Sequence, residues 1–114
     1  MDRLAEMVLL GEFYGGLLTG RQQECFRLYY EQDLSLGEIA EYQGISRQAV
    51  HDRLQRAERA LRHYEARLGL VADYIRRRRL LETALRLVRS SQAFRRGDRE
   101  LDLAARMLEK VLRE

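Results

Sequence analysis

The chain has 114 residues, a single cysteine, no proline and a net charge of only +3, although 34% of its residues are charged. One cysteine excludes an internal disulfide, and no apolar run reaches the ~18 residues a membrane-spanning helix needs. The length suits one modest core, helix-favouring leucine, alanine, arginine and glutamate dominate, and the opening MDRLAEMVLL does not resemble a secretory signal, so an all-α protein of the reducing cytoplasm is expected.

In chain order, apolar spacing predicts a first helix over about residues 2–14, with Leu4, Met7, Val8 and Tyr14 facing inward and Gly15 and Gly16 breaking it. Thr19 with Gln22 three residues on is a capping box that opens a helix through about Glu31. Cys25, Phe26, Leu28, Tyr29 and Tyr30 give this helix a bulky face, and nothing nearby would activate the thiol. Asp33 and Leu34 form the turn that follows.

Residues 35–54 read SLGEIAEYQGISRQAVHDRL. Ser35 and Glu38 form a second capping box, Leu36, Ile39 and Ala40 repeat at helical spacing, and Gly44 suits the left-handed stop of a short helix. Ile45 anchors the turn, Ser46 caps the next helix, and Ala49, Val50 and Leu54 begin its apolar stripe. Two helices joined by a tight glycine turn make a helix-turn-helix, whose second helix protrudes far enough to enter a DNA major groove. That helix is long: Val50, Leu54, Ala57, Leu61, Tyr64 and Leu68 hold a seven-residue repeat, Glu58 and Arg62 are spaced as an ion pair, and Gly69 ends it. Two further helices are expected, from about Val71 to Ser90 and from an Asp98 cap to Arg113, with Arg95 to Arg99 in a flexible connection. Their apolar faces, including Leu80, Leu81, Leu85, Leu87, Leu101, Leu108 and Leu112, are broad enough to call for mutual packing or a second subunit. We therefore expect a helix-turn-helix core over 1–70 and a helical extension over 71–114 that packs on the core or on a second copy, in one compact domain and a homodimer.

Charge follows this layout. Residues 1–45 hold three arginines against eight acids, a balance of −5, whereas 46–70 carry +3, 71–99 carry +6 and the last fifteen −1. Basic charge therefore starts with the second helix of the motif and peaks just after it, as expected for a polyanion partner. In the first turns of that helix Ser46, Arg47, Gln48, His51 and Asp52 would face the bases, flanked by Arg53, Gln55 and Arg56. Gln48 has the geometry to pair with adenine, Arg47 or Arg53 to pair with guanine or phosphate, and Ser46 to offer a hydroxyl and free amides to phosphate. Asp52 is the awkward member, since a carboxylate repels the DNA backbone unless an arginine or a cytosine amine meets it. Arg76, Arg77, Arg78 and Arg79 are the densest charge, but residues about 100° apart cannot all face one groove. Two or three of them suit a nucleic acid backbone or an acidic protein. His51 and His63 lack a cluster with metal-ligand spacing, no nucleophile–base pair or phosphate-cradling loop is present, and neither cofactor nor catalysis is expected.

From Phe13 to Leu70 the chain resembles the YlxM-like family of small bacterial helix-turn-helix proteins, through FYG-x-LLT, LYY-x-x-DLSL-x-EIAE, SRQAV-x-D and YE-x-x-LGL. The resemblance implies a core without a wing, similar to the promoter-reading region of sigma factors, with Ser46 to Arg56 at the DNA. It also implies a link to the signal recognition particle, through the genes such proteins accompany. Two functions follow: a DNA-binding regulator, or a non-catalytic adaptor for the particle's protein or RNA.

Overall fold

The computed structural model describes residues 2–114, and its helix starts realise the capping chemistry written in the sequence. Asp2 accepts from the Ala5 amide at 2.7 Å and opens α1 (Arg3–Tyr14). After a 3₁₀ turn over Gly15–Leu17, Thr19 and Gln22 close a reciprocal capping box on α2 (Gly20–Tyr30). Ser35 and Glu38 do the same for α3 (Leu36–Gln43). Ser46 accepts from the Ala49 amide at 3.0 Å at the head of α4 (Arg47–Leu68). Then follow α5 (Leu70–Ser90), the short α6 (Gln92–Arg95) and α7 (Arg99–Arg113), capped by Asp98. The described residues contain no strand. The protein is all-α.

Two compact units divide the chain, the first ending at Val71 and the second running Ala72–Glu114. In the first, α1, α2 and α3 all pack on α4. Its core is built from Met7, Leu10, Tyr14, Cys25, Ile39, Val50, Ala57 and Leu61, each no more than 2% exposed. At ~25 cal/mol per Å² of apolar surface removed from water, the fully buried Met, Leu, Ile and Val side chains among them each stabilise the fold by roughly 1.5–3 kcal/mol. Gly11 allows the tight seam between α1 and α2, because a Cβ there would fall 2.4 Å from the Phe26 ring. The heptad stripe of α4 buries Val50, Leu54, Ala57 and Leu61, but Leu68, at its far end, is 58% exposed.

A polar node closes the first unit. The buried Tyr14 hydroxyl donates to Glu65 Oε1 at 2.6 Å and accepts from the Leu70 amide at 3.0 Å, while the Val71 amide donates to the same carboxylate oxygen at 2.9 Å. The first amides of α5, orphaned as at any helix start, are satisfied there. Burial and the bond to Glu65 push the Tyr14 phenol above its usual range. Across the same unit the Tyr30 hydroxyl donates to Glu58, and its phenol is also raised, by burial first and the Glu58 contact second. Glu58 is thus engaged by α2, which corrects the Glu58–Arg62 pairing expected from spacing.

Two other details depart from the sequence-based reading. Leu4 is 61% exposed, and Leu10 takes the inward place in α1. The expected flexible connection from Arg95 to Arg99 is ordered: Arg95 closes α6 under a Ser91 cap, and Arg99 begins α7. Only Arg96, Gly97 and Asp98 lie between, with Gly97 at a left-handed φ of 88°. In the second unit Leu85 and Ala105 are buried, and Arg89–Glu109 and Arg78–Leu112 contacts join α5 to α7.

Candidate nucleic-acid interface

The turn between α3 and α4 sets the presentation of α4. Gly44 adopts φ 69°, a left-handed conformation costly for other residues, and the Ile45 amide returns to the Ala40 carbonyl at 3.1 Å. Ala40 and Val50 are buried on facing helices, so the small alanine lets α3 lie against α4. The Cys25 thiol, its proton held by burial, points at the Val50 carbonyl at 3.9 Å and adds a contact from α2. The buried side of α4 is therefore fixed, and its other side is free.

On that free side Ser46, Arg47, Gln48, Asp52, Gln55 and Arg56 are exposed, with His51 and Arg53 half-buried. On this side no helix of the first unit covers the first two turns of α4. Gln48 Nε2 donates to Asp52 Oδ1 at 3.0 Å, one turn on, and His51 Nδ1 lies 3.7 Å from the same oxygen. Asp52 thus has a partner on its own helix, and Gln48 holds one of its two amide protons there rather than free for a base. Arg53 reaches back to the Gln43 side chain at 3.4 Å, which ties the flank of α4 to α3.

One neighbour of these residues was not singled out from the sequence. A cleft of about 480 Å³ is lined by Thr19, Arg21 and Gln22 from the head of α2 and by Ala49, Asp52, Arg53 and Arg56 from α4. Arg21 therefore joins the basic edge of α4 from another helix. The signal was present as the Thr19–Gln22 capping box, which exposes the first turn of α2, but only the fold brings that turn beside residue 53.

The arginine run on α5 is more engaged than its density suggests. Arg76 and Arg77 both pair with Asp73, the latter at 2.8 Å. Arg78 bonds Glu82 at 3.1 Å and the Leu112 carbonyl at 2.7 Å. Ion pairs within one exposed helix are worth only a few tenths of a kcal/mol, roughly, so a polyanion can compete for these side chains. Among the described residues no group of three or more acidic, histidine or cysteine side chains is placed to hold a metal. No helix there is long and apolar enough to cross a membrane.

Residues 1–99 match the family model described as "Putative helix-turn-helix protein, YlxM / p13 like". A UPF0122 protein of Symbiobacterium thermophilum is 55% identical over 82 residues, covering 72% of this chain and 77% of the relative. Another from a Thermoanaerobacter species is 40% identical over 113 residues, covering 99% and 93%. A third, from Geobacillus kaustophilus, is 46% identical over 82 residues, covering 72% and 74%. The chain belongs to the UPF0122 family of YlxM/p13-like helix-turn-helix proteins.

Proposed function

We propose that this protein is a DNA-binding regulator that reads a major groove with the first two turns of α4. One observation carries the reading: a capped helix start whose outward residues, Ser46, Arg47, Gln48, Asp52, Gln55 and Arg56, are exposed while the opposite side is locked to α3. Arg47 and Gln48 read bases, Arg53, Arg56 and Arg21 hold phosphates, and Ser46 offers phosphate the free amides of the helix start. Acting as a homodimer, it sets two such helices about 34 Å apart in successive grooves. Selection from a random DNA pool, with binding measured at two salt concentrations, tests this. A recovered site should bind Arg47→Ala/Gln48→Ala more weakly by roughly 1–3 kcal/mol per lost base contact. Failure of any site to enrich overturns the reading.

The alternative is an adaptor for the protein or RNA of the signal recognition particle. The Gln48–Asp52 pair favours it, because it places a carboxylate and an occupied amide where a DNA reader needs donors. That version requires retention on a particle affinity column, unaffected by Gln48→Ala and weakened by charge reversal at Arg76 to Arg79. Passage of the protein through the column without delay eliminates it.

A further inference from the structure

The second unit leaves much of its apolar surface in water. On α5, Leu80 is 65% exposed and Leu87 58%, although both belong to a helix whose Leu85 is buried against its own unit. At about 100° per residue, Leu80, Ala84 and Leu87 fall within an arc of about 60°, turned about 100° away from the packed side formed by Leu81, Leu85 and Val88. The 4-3 spacing of this second stripe is that of a helix-pairing seam. A unit of this size cannot bury a large core unaided.

We infer that this α5 stripe is a self-association surface, on which a second copy of the chain lays the same helix antiparallel. The sequence of the stripe is complementary to its own reversal. With the two-fold axis between Thr83 and Ala84, Leu80 meets Leu87 of the second copy, and the small Thr83 and Ala84 at the centre let the backbones approach. Toward the ends, Arg76 and Arg77 meet Ser90 and Ser91 of the second copy. The Ser90 and Ser91 hydroxyls donate to the Leu87 and Val88 carbonyls, at 3.2 and 2.7 Å; the Ser90 oxygen can then accept from arginine, and Ser91, which also caps α6 by accepting from the Phe94 amide at 3.2 Å, keeps one lone pair for it. Asp73 pairs with both Arg76 and Arg77 within their own helix and offsets one of their two charges, and serine rather than arginine faces them across the contact.

The other unpartnered stripe fails the same test. On α7 Leu103, Met107 and Val111 are 59%, 62% and 50% exposed. Reversed upon itself about Met107, that stripe would set Glu100 against Glu114 of the second copy. An isologous contact on α5 closes after two copies. One helical stripe is smaller than the ~20–30 residues per side of a standard interface, so the pairing is of the weak, concentration-dependent class.

This inference gives a surface to the dimeric form of the reading above, and its test uses no DNA, so the two can fail separately. Sedimentation equilibrium of the full chain, from low micromolar to near-millimolar concentration, should show a monomer–dimer equilibrium. Leu80→Arg/Leu87→Arg alters only exposed positions and should weaken it at least ~10-fold, with helicity by circular dichroism unchanged. Mixing Arg76→Cys with Ser90→Cys protein should give a cross-linked heterodimer under a short bismaleimide, and neither variant alone should do so; the buried Cys25 does not compete. A monomer at every concentration, a dimer indifferent to the double arginine variant, or cross-linking of each variant to itself but not in the mixture overturns the inference.

Discussion

The two units of this chain spend their apolar residues differently. Fourteen of the sixteen buried apolar residues among those described lie in the first unit, where three helices converge on α4; the second unit buries only Leu85 and Ala105. Both units are leucine-rich, so hydrophobicity alone does not separate them. What differs is how many neighbours a stripe has. The apolar side of α4 meets three helices, while α5 and α7 each keep a second apolar stripe in water. The first unit thus buries its apolar side and presents a polar edge, whereas the second leaves apolar stripes exposed.

Alanine substitution tests that contrast most sharply. Leu61→Ala removes a fully buried side chain from α4 and should cost about 2–5 kcal/mol in urea unfolding. Leu87→Ala, made at low concentration, should cost no more than about 0.5 kcal/mol. Comparable losses at both positions would erase the distinction.

Gly11→Ala probes the tightness of the first unit rather than its apolar content. The added methyl meets the Phe26 ring, and the expected cost is about 1–3 kcal/mol, more than a helix-favouring glycine-to-alanine change gains. Stabilisation would mean that α1 and α2 separate easily.

Tyr14→Phe breaks the node that satisfies the first amides of α5. It takes one donor from Glu65 and leaves the Leu70 amide without its acceptor, at a cost of about 1–3 kcal/mol. The node also fixes a pH dependence. The Tyr14 and Tyr30 phenols titrate higher folded than unfolded, so their stabilisation is complete below about pH 10 and is lost as pH rises through the folded values. Alkaline titration of stability should show a shallower decline in Tyr14→Phe than in the parent protein.

How much of this was legible in the sequence depended on how local the determinant was. The capping pairs Thr19–Gln22 and Ser35–Glu38, the left-handed Gly44 and Gly69, and the caps at Ser46 and Asp98 act over three or four residues, and they marked the helix starts and stops correctly. Features requiring two distant segments were not readable. Tyr14 finds Glu65 fifty-one positions away, Gly11 matters only because Phe26 crosses it, and Arg21 joins α4 only once α2 has docked. Leu68 continued the heptad pattern yet is exposed, because periodicity records which side faces a partner and not how far along the helix that partner extends. The short α6 was missed for the opposite reason, since four residues are too few to show a period.

The most direct test of α4 as the reading element is an amide-resolved NMR titration of the isotope-labelled protein with a mixed-sequence DNA duplex. Shifts and broadening concentrated at Ser46 to Arg56, joined by Arg21 at the head of α2, are the predicted result. Perturbation confined to other surfaces, with those amides unmoved at saturation, would contradict it.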